Sequence, residues 1–137
     1  MSCKSAIYTV NNTNTAITVG AGETAQVPFG SVIRRFGKYI NLDGGSILCC
    51  DSGYFDAEIS LTVSPTAATA ITAQLYQDGV AVPGAFATAT PADAGDPVSL
   101  PITALIRNCG CNCSSVLTIR VNASCTVNNL AAVIEKL

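Results

Sequence analysis

Gly53-Tyr54-Phe55-Asp56-Ala57-Glu58-Ile59-Ser60-Leu61-Thr62-Val63 alternates without a break. Phe55, Ala57, Ile59, Leu61 and Val63 fall on one side, and Tyr54, Asp56, Glu58, Ser60 and Thr62 on the other. A period of two sustained this long is a β-strand with one dry and one wet face, as in an antiparallel sheet. Pro65 closes it.

The same period runs outward in both directions. AIYTV (6–10) and TAITV (15–19) read as short strands separated by the Asn-Thr run NNTNT. GSVIRRFGKYINL (30–42) reads as a strand pair or a bent strand broken at Gly37, and Asp43-Gly44-Gly45 is a turn. On the other side, Asp78-Gly79 lies between two β-rich runs and suits a type I′ hairpin, whose central residues both need positive φ. PADAGD (91–96) is a loop. PVSLPITALIR (97–107) is strand-like, with Pro101 demanding a sheet edge or a bulge. VLTIRVNASCTV (116–127) alternates, and NLAAVIEKL (129–137) is read as a strand rather than a short helix. No long helix is indicated. Short strands with turn signals every 8–12 residues make an all-β sandwich or jelly roll.

The 137 residues fit one domain, with residues 1–5 as a flexible tip. A chain of this size buries roughly 68–70% of its unfolded surface, so its core needs no staples. Hydrophobic residues make up 49% and charged residues only 12%, leaving a surface of Thr, Ser, Asn, Ala and Gly that suits burial in an assembly. A net charge of −2 gives no general attraction to nucleic acid or anionic membrane, and Arg34-Arg35 is too small for a phosphate track. No apolar run is long enough for a membrane-spanning helix. The amino terminus MSCKSAIYTV lacks the apolar core and cleavage site of a secretory signal, while the cysteines suit an oxidising setting; release by lysis would reconcile the two.

The order of signals, Gly53-Tyr54-Phe55-Asp56, then LYQDGVAVPGA, then DPVSLPITALI, then NLAAVIEKL, resembles the compact jelly-roll heads of the tumour-necrosis-factor and complement type. It is most similar to their bacterial branch, the carboxy-terminal heads of collagen-like spore-surface glycoproteins, with related phage structural proteins. The resemblance spans roughly residues 6–137 and implies a ten-strand, two-sheet jelly-roll sandwich that assembles as a homotrimer. It places Leu130, Val133 and Leu137 at the threefold interface; the competing reading makes them core residues of a monomer.

Seven cysteines remain to be explained: Cys3, Cys49, Cys50, Cys109, Cys111, Cys113 and Cys125. The topology implied by the resemblance sets the Gly53 strand antiparallel beside the ITALI strand. That gathers all but Cys125 at one pole and puts Cys125 at the other pole or along the last strand. If extended, Cys49 and Cys50 point to opposite faces and serve different partners. Disulfides are the favoured reading, with connectivity left open. A zinc site is a poor match, because the CC and CxCxC spacings are not two Cys-x(2–4)-Cys knuckles. A redox centre lacks its Cys-x-x-Cys. Since seven is odd, at least one thiol is unpaired or joined to another chain, and Cys3 is the candidate for either, a free thiol or a bridge between chains.

Enzymatic chemistry finds little support. The chain has no histidine, the commonest general base. Asp56 and Glu58 share a strand face, read as solvated or interfacial. Asp93 and Asp96 offer calcium two carboxylates, but a turn is the better reading. Tyr8, Tyr39, Tyr54 and Tyr76 as a sugar platform yield to core and rim roles. The expected function is a non-enzymatic, disulfide-stabilised homotrimeric subunit of an extracellular or spore-surface assembly or fibre. The alternative is a phage virion fibre head or capsid decoration protein that binds a surface glycan or receptor.

Overall fold

The computed structural model describes residues 4–108 and 114–137. Their strands, in chain order, are β1 (Ala6–Asn11), β2 (Thr15–Ile17), β3 (Ala25–Val27), β4 (Ser31–Phe36), β5 (Ile40–Asp43), β6 (Ser46–Cys50), β7 (Gly53–Pro65), β8 (Ile71–Gln77), β9 (Val80–Ala89), β10 (Val98–Asn108), β11 (Ser114–Val121) and β12 (Cys125–Lys136). They form two six-stranded antiparallel sheets, a jelly-roll sandwich. The first runs β10-β7-β12-β1-β4 with β2 beside β12; the second runs β5-β6-β11-β8-β9 with β3 beside β11. The described strands number twelve rather than the expected ten, and two of the twelve, β2 and β3, are three-residue ribbons.

The alternation of β7 is realised as read. Phe55, Ala57, Leu61 and Val63 are fully buried and Ile59 nearly so, while Glu58 and Ser60 face out. Each large apolar side chain so buried contributes about 1.5–3 kcal/mol. From the other sheet, Ile47, Leu75, Leu117 and Ile119 meet them. β7 pairs with β10 from Gly53↔Asn108 to Val63↔Val98, the antiparallel neighbour the resemblance implied.

The punctuation also behaves physically. Asp78 and Gly79 adopt φ of 52° and 81°, closing the β8–β9 hairpin at Gln77↔Val80 as a type I′ turn requires. Pro101 lies in β10, the sheet's edge strand, where its missing N–H breaks no ladder on the outer side. Gly37 separates β4 from β5, and NLAAVIEKL lies in β12. At the expected tip, Ser5 is buried: its carbonyl accepts the Lys136 N–H at 2.8 Å and its Oγ accepts the Tyr39 N–H at 3.1 Å.

Candidate functional site

Two features stand out: the pole where β6, β7 and β10 turn, and the outward face of the β10-β7-β12-β1-β4 sheet.

At the pole, Ser114 and Ser115 at the start of β11 lie opposite Cys50 and Cys49, and Asn108 at the end of β10 lies opposite Gly53. One buried side chain ties these strands. Asn108 Nδ2 donates to the carbonyls of Cys49 (3.1 Å) and Asp51 (2.7 Å), and its Oδ1 accepts from Ser115 Oγ (3.0 Å). Gln77 Nε2 extends the network, donating to Ser115 Oγ (2.9 Å) and the Arg107 carbonyl (2.8 Å). The stretches flanking 109–113 are thus brought to the Cys49-Cys50 pair. Cys3, Cys109, Cys111 and Cys113 lie outside the described residues.

Cys49 and Cys50 face opposite ways, as adjacent strand residues must: Cys49 is sealed in the core and Cys50 is half-buried. Cys125 opens β12 at the other pole, opposite Pro65 and Ile17, and is also in the core. Cys49 and Cys125 are thiols. Burial, helped by Cys50 and Asp78, pushes the Cys49 thiol up to about 12 from an ordinary 9.0, and burial pushes Cys125 up to about 11. Both are therefore poor nucleophiles in the folded chain. Unfolding lets them ionise near pH 9, so the unfolded state binds fewer protons above that pH. Stability should be complete below pH 9 and fall as pH rises through 11 to 12. Cys49 alone accounts for about 1.4 kcal/mol at pH 10. Urea titrations at pH 8 and pH 10 check this, with a Cys49→Ala variant expected to flatten the pH dependence.

The sheet face is read from register. One row across the strands is Leu105, Asp56, Glu135, Ala6 and Phe36; the next is Thr103, Glu58, Val133, Tyr8 and Arg34. Phe36 and Leu105 are each 60% exposed, Leu137 66% and Val133 38%. An apolar depression of 170 Å³ lies among Ala6, Tyr8, Arg34, Phe36 and Val133; one of 270 Å³ lies among Glu58, Ser60, Pro101, Thr103, Ala131 and Val133. Asp56 and Glu135 are direct cross-strand neighbours, a repulsive placement in an isolated sheet. The one ion pair among the described residues, Lys136 to Asp51 at 3.7 Å, leaves Asp56, Glu58 and Glu135 unpaired. Arg107 stacks on Tyr54 at 5.9 Å.

Of the three residues expected at a threefold interface, Val133 and Leu137 are exposed, whereas Leu130 points inward, fully buried. Sequence reading passed over Phe36 and Leu105 and took Tyr8 as a core or rim residue; the register assembles all three around Val133. The tyrosines form no common platform: Tyr8 and Tyr54 lie on this face, Tyr76 on β8 of the other sheet and Tyr39 between β4 and β5. Asp93 and Asp96 are exposed in a turn closed by the Asp96 N–H to the Asp93 carbonyl at 3.1 Å. A 480 Å³ cleft beside Asn11 uses its polar groups internally. Asn11 Oδ1 accepts from the hydroxyls of Thr13 and Thr15, and its Nδ2 donates to the Pro28 carbonyl.

No protein-family model and no curated protein matches the sequence. Solved structures do match in shape. Murine APRIL superposes with a TM-score of 0.73 at 12% identity, over 98% of this chain and 99% of that one. The globular domain of zebrafish complement 1qA gives 0.69 at 10%, over 98% and 96%. The vertex protein P5 of PRD1 gives 0.63 at 10%, over 96% and 72%. The chain has the jelly-roll fold of the tumour-necrosis-factor and complement-type heads.

Proposed function

We propose that the chain is a non-catalytic structural subunit that assembles as a homotrimer through the outward face of the β10-β7-β12-β1-β4 sheet, in an extracellular or spore-surface assembly or fibre. The observation that carries this reading is the exposed apolar set Phe36, Val133, Leu105 and Leu137, with the half-buried Tyr8 among them, spread across one sheet face and its end. A lone soluble domain gains nothing from such a patch, whereas a closed ring buries it. The second sheet stays outside this contact, and Leu137, whose N–H donates to the Tyr54 carbonyl, carries the contact to the edge of the cysteine pole. At that pole, the thiols of Cys3, Cys50, Cys109, Cys111 and Cys113 are proposed to bridge, within or between chains, hardening the subunit once it meets oxidant.

The likeness to the PRD1 vertex protein supports a second reading, a virion component such as a fibre head or decoration protein, which would use the same trimer and present its poles to a glycan or receptor. Mass by light scattering across a dilution series tests the assembly. A mass of three chains is expected, and a monomer at every concentration would defeat both readings. A non-reducing gel of the same sample, with peptide mapping, reports which thiols have bridged.

A further inference from the structure

Resting on the trimer reading, we propose that neighbouring copies meet head to tail through charge. The β4 edge of one copy, bearing Arg34 and Phe36, seats on the β7–β10 side of the next, bearing Asp56, Glu58 and Leu105.

The argument begins with charges that the chain cannot satisfy alone. Asp56, Glu58 and Glu135 sit in the middle of the face, and no ion pair among the described residues reaches them. Covering a carboxylate without a cation is costly, so any contact that buries this face must bring one. The nearby cations are mostly engaged. Lys136 pairs with Asp51, Arg107 lies over Tyr54, and Arg35 donates to the Ile40 carbonyl and to Asn41. Lys4 and Arg34 remain, both exposed and with no carboxylate partner among the described residues, and of the two Arg34 lies on the β4 edge.

Arg34 cannot serve its own acids. Its row runs Arg34, Tyr8, Val133, Glu58, so three strand spacings separate it from Glu58. At about 4.8 Å per spacing that is roughly 14 Å, beyond a salt bridge and beyond the Debye length of about 8 Å at physiological salt. A second copy can close the distance. A twofold contact sets the residues on its axis against their own copies, so an axis along β12, the middle strand of the face, would bring Glu135 to Glu135. A ring instead joins two different patches of the same chain, and this face has two: a cationic, aromatic one at β4 and an acidic, aliphatic one at β7–β10. The same docking brings Phe36 toward Leu105, so the apolar and ionic contacts agree in direction.

The test is a charge swap read as the concentration at which light-scattering mass halves between trimer and monomer. Arg34→Glu and Glu58→Arg are each expected to raise it at least about tenfold by placing like charges together. The double variant should return to within about threefold of the parent. Both side chains are exposed, and circular dichroism of each variant checks that the sheets persist. Leu105→Glu, independently, should weaken assembly alone and not be rescued by Glu58→Arg. If the parent is trimeric and the single swaps leave it as tight, or the double fails to recover, the head-to-tail pairing is wrong while the trimer stands. A parent that never exceeds one chain removes both.

Discussion

Gly30→Ala is expected to cost the folded chain about 4–5 kcal/mol, at the extreme of single substitutions. Gly30 holds φ at +92°, and a Cβ there would lie 2.2 Å from the Val10 carbonyl oxygen and 2.7 Å from Asn11 Cβ. Val10 is a backbone partner of Ser31 in the β1–β4 ladder, so the clash cannot be relieved by turning a side chain. Either φ shifts, which drags the fully buried Phe29 out of place, or β4 separates from β1. The second outcome also removes Arg34 and Phe36 from the docking face. Gly79→Ala is the control: its φ is +81° but nothing lies within 4 Å of the new Cβ, so only backbone strain of about 1 kcal/mol applies. Urea unfolding of the three proteins separates the terms. Equal losses for the two substitutions would show that the Val10 contact relaxes freely. With total stability of about 5–15 kcal/mol usual for a domain, Gly30→Ala should also depress soluble yield.

Much of the fold was legible because its signals are local. A strand as regular as β7 needs only its own alternation, and Asp78-Gly79 needs only the φ preferences of two residues. Pro101 narrowed its strand to an edge or a bulge because proline lacks a donor wherever it sits, and β10 is an edge. The docking face was not legible, because its rows join residues from five strands distant in sequence, and only register brings Phe36 to Ala6 or Tyr8 to Val133. β4 shows the limit most plainly: SVIRRF mixes apolar and basic residues, yet every one is exposed, since β4 is an edge strand whose pairing to β1 shifts register between Tyr8 and Thr9. Leu130 and Val133 share apolar chemistry but are an odd number of positions apart, so a strand sends them to opposite faces. The resemblance placed β7 beside β10 correctly, which no composition argument could do. It carried no hint of Asn108, whose neighbours look like loop and whose role is visible only through its hydrogen-bond partners.

That role can be measured. Asn108→Leu keeps the volume nearly unchanged and removes every polar contact of the side chain. The Cys49 and Asp51 carbonyls lose a donor, and Ser115 Oγ loses its acceptor in a site where Asn108 and Ser115 are 3% and 2% exposed. Each buried group left unpaired costs about 1–3 kcal/mol, and some will find water or a weaker partner, so about 4 kcal/mol is expected for the set. For a domain of this size that corresponds to a fall in Tm of roughly 10 °C or more. Asn108→Asp should fare no better: it keeps the acceptor for Ser115 but turns the donor toward two carbonyls into a buried negative charge. Ser115→Ala, which spares both carbonyls, should lose only about 1–2 kcal/mol. Hydrogen exchange gives the spatial reading. In Asn108→Leu, amides of β6 and the start of β11 should exchange faster, while those of β7 and β12 at the Cys125 pole keep their protection relative to the lowered global stability. Uniform loss across both sheets would mean that Asn108 holds the domain as a whole. The expected gradient would mean that it holds one pole, keeping the strand ends on either side of the CxCxC run next to Cys49-Cys50, the arrangement any bridging there requires.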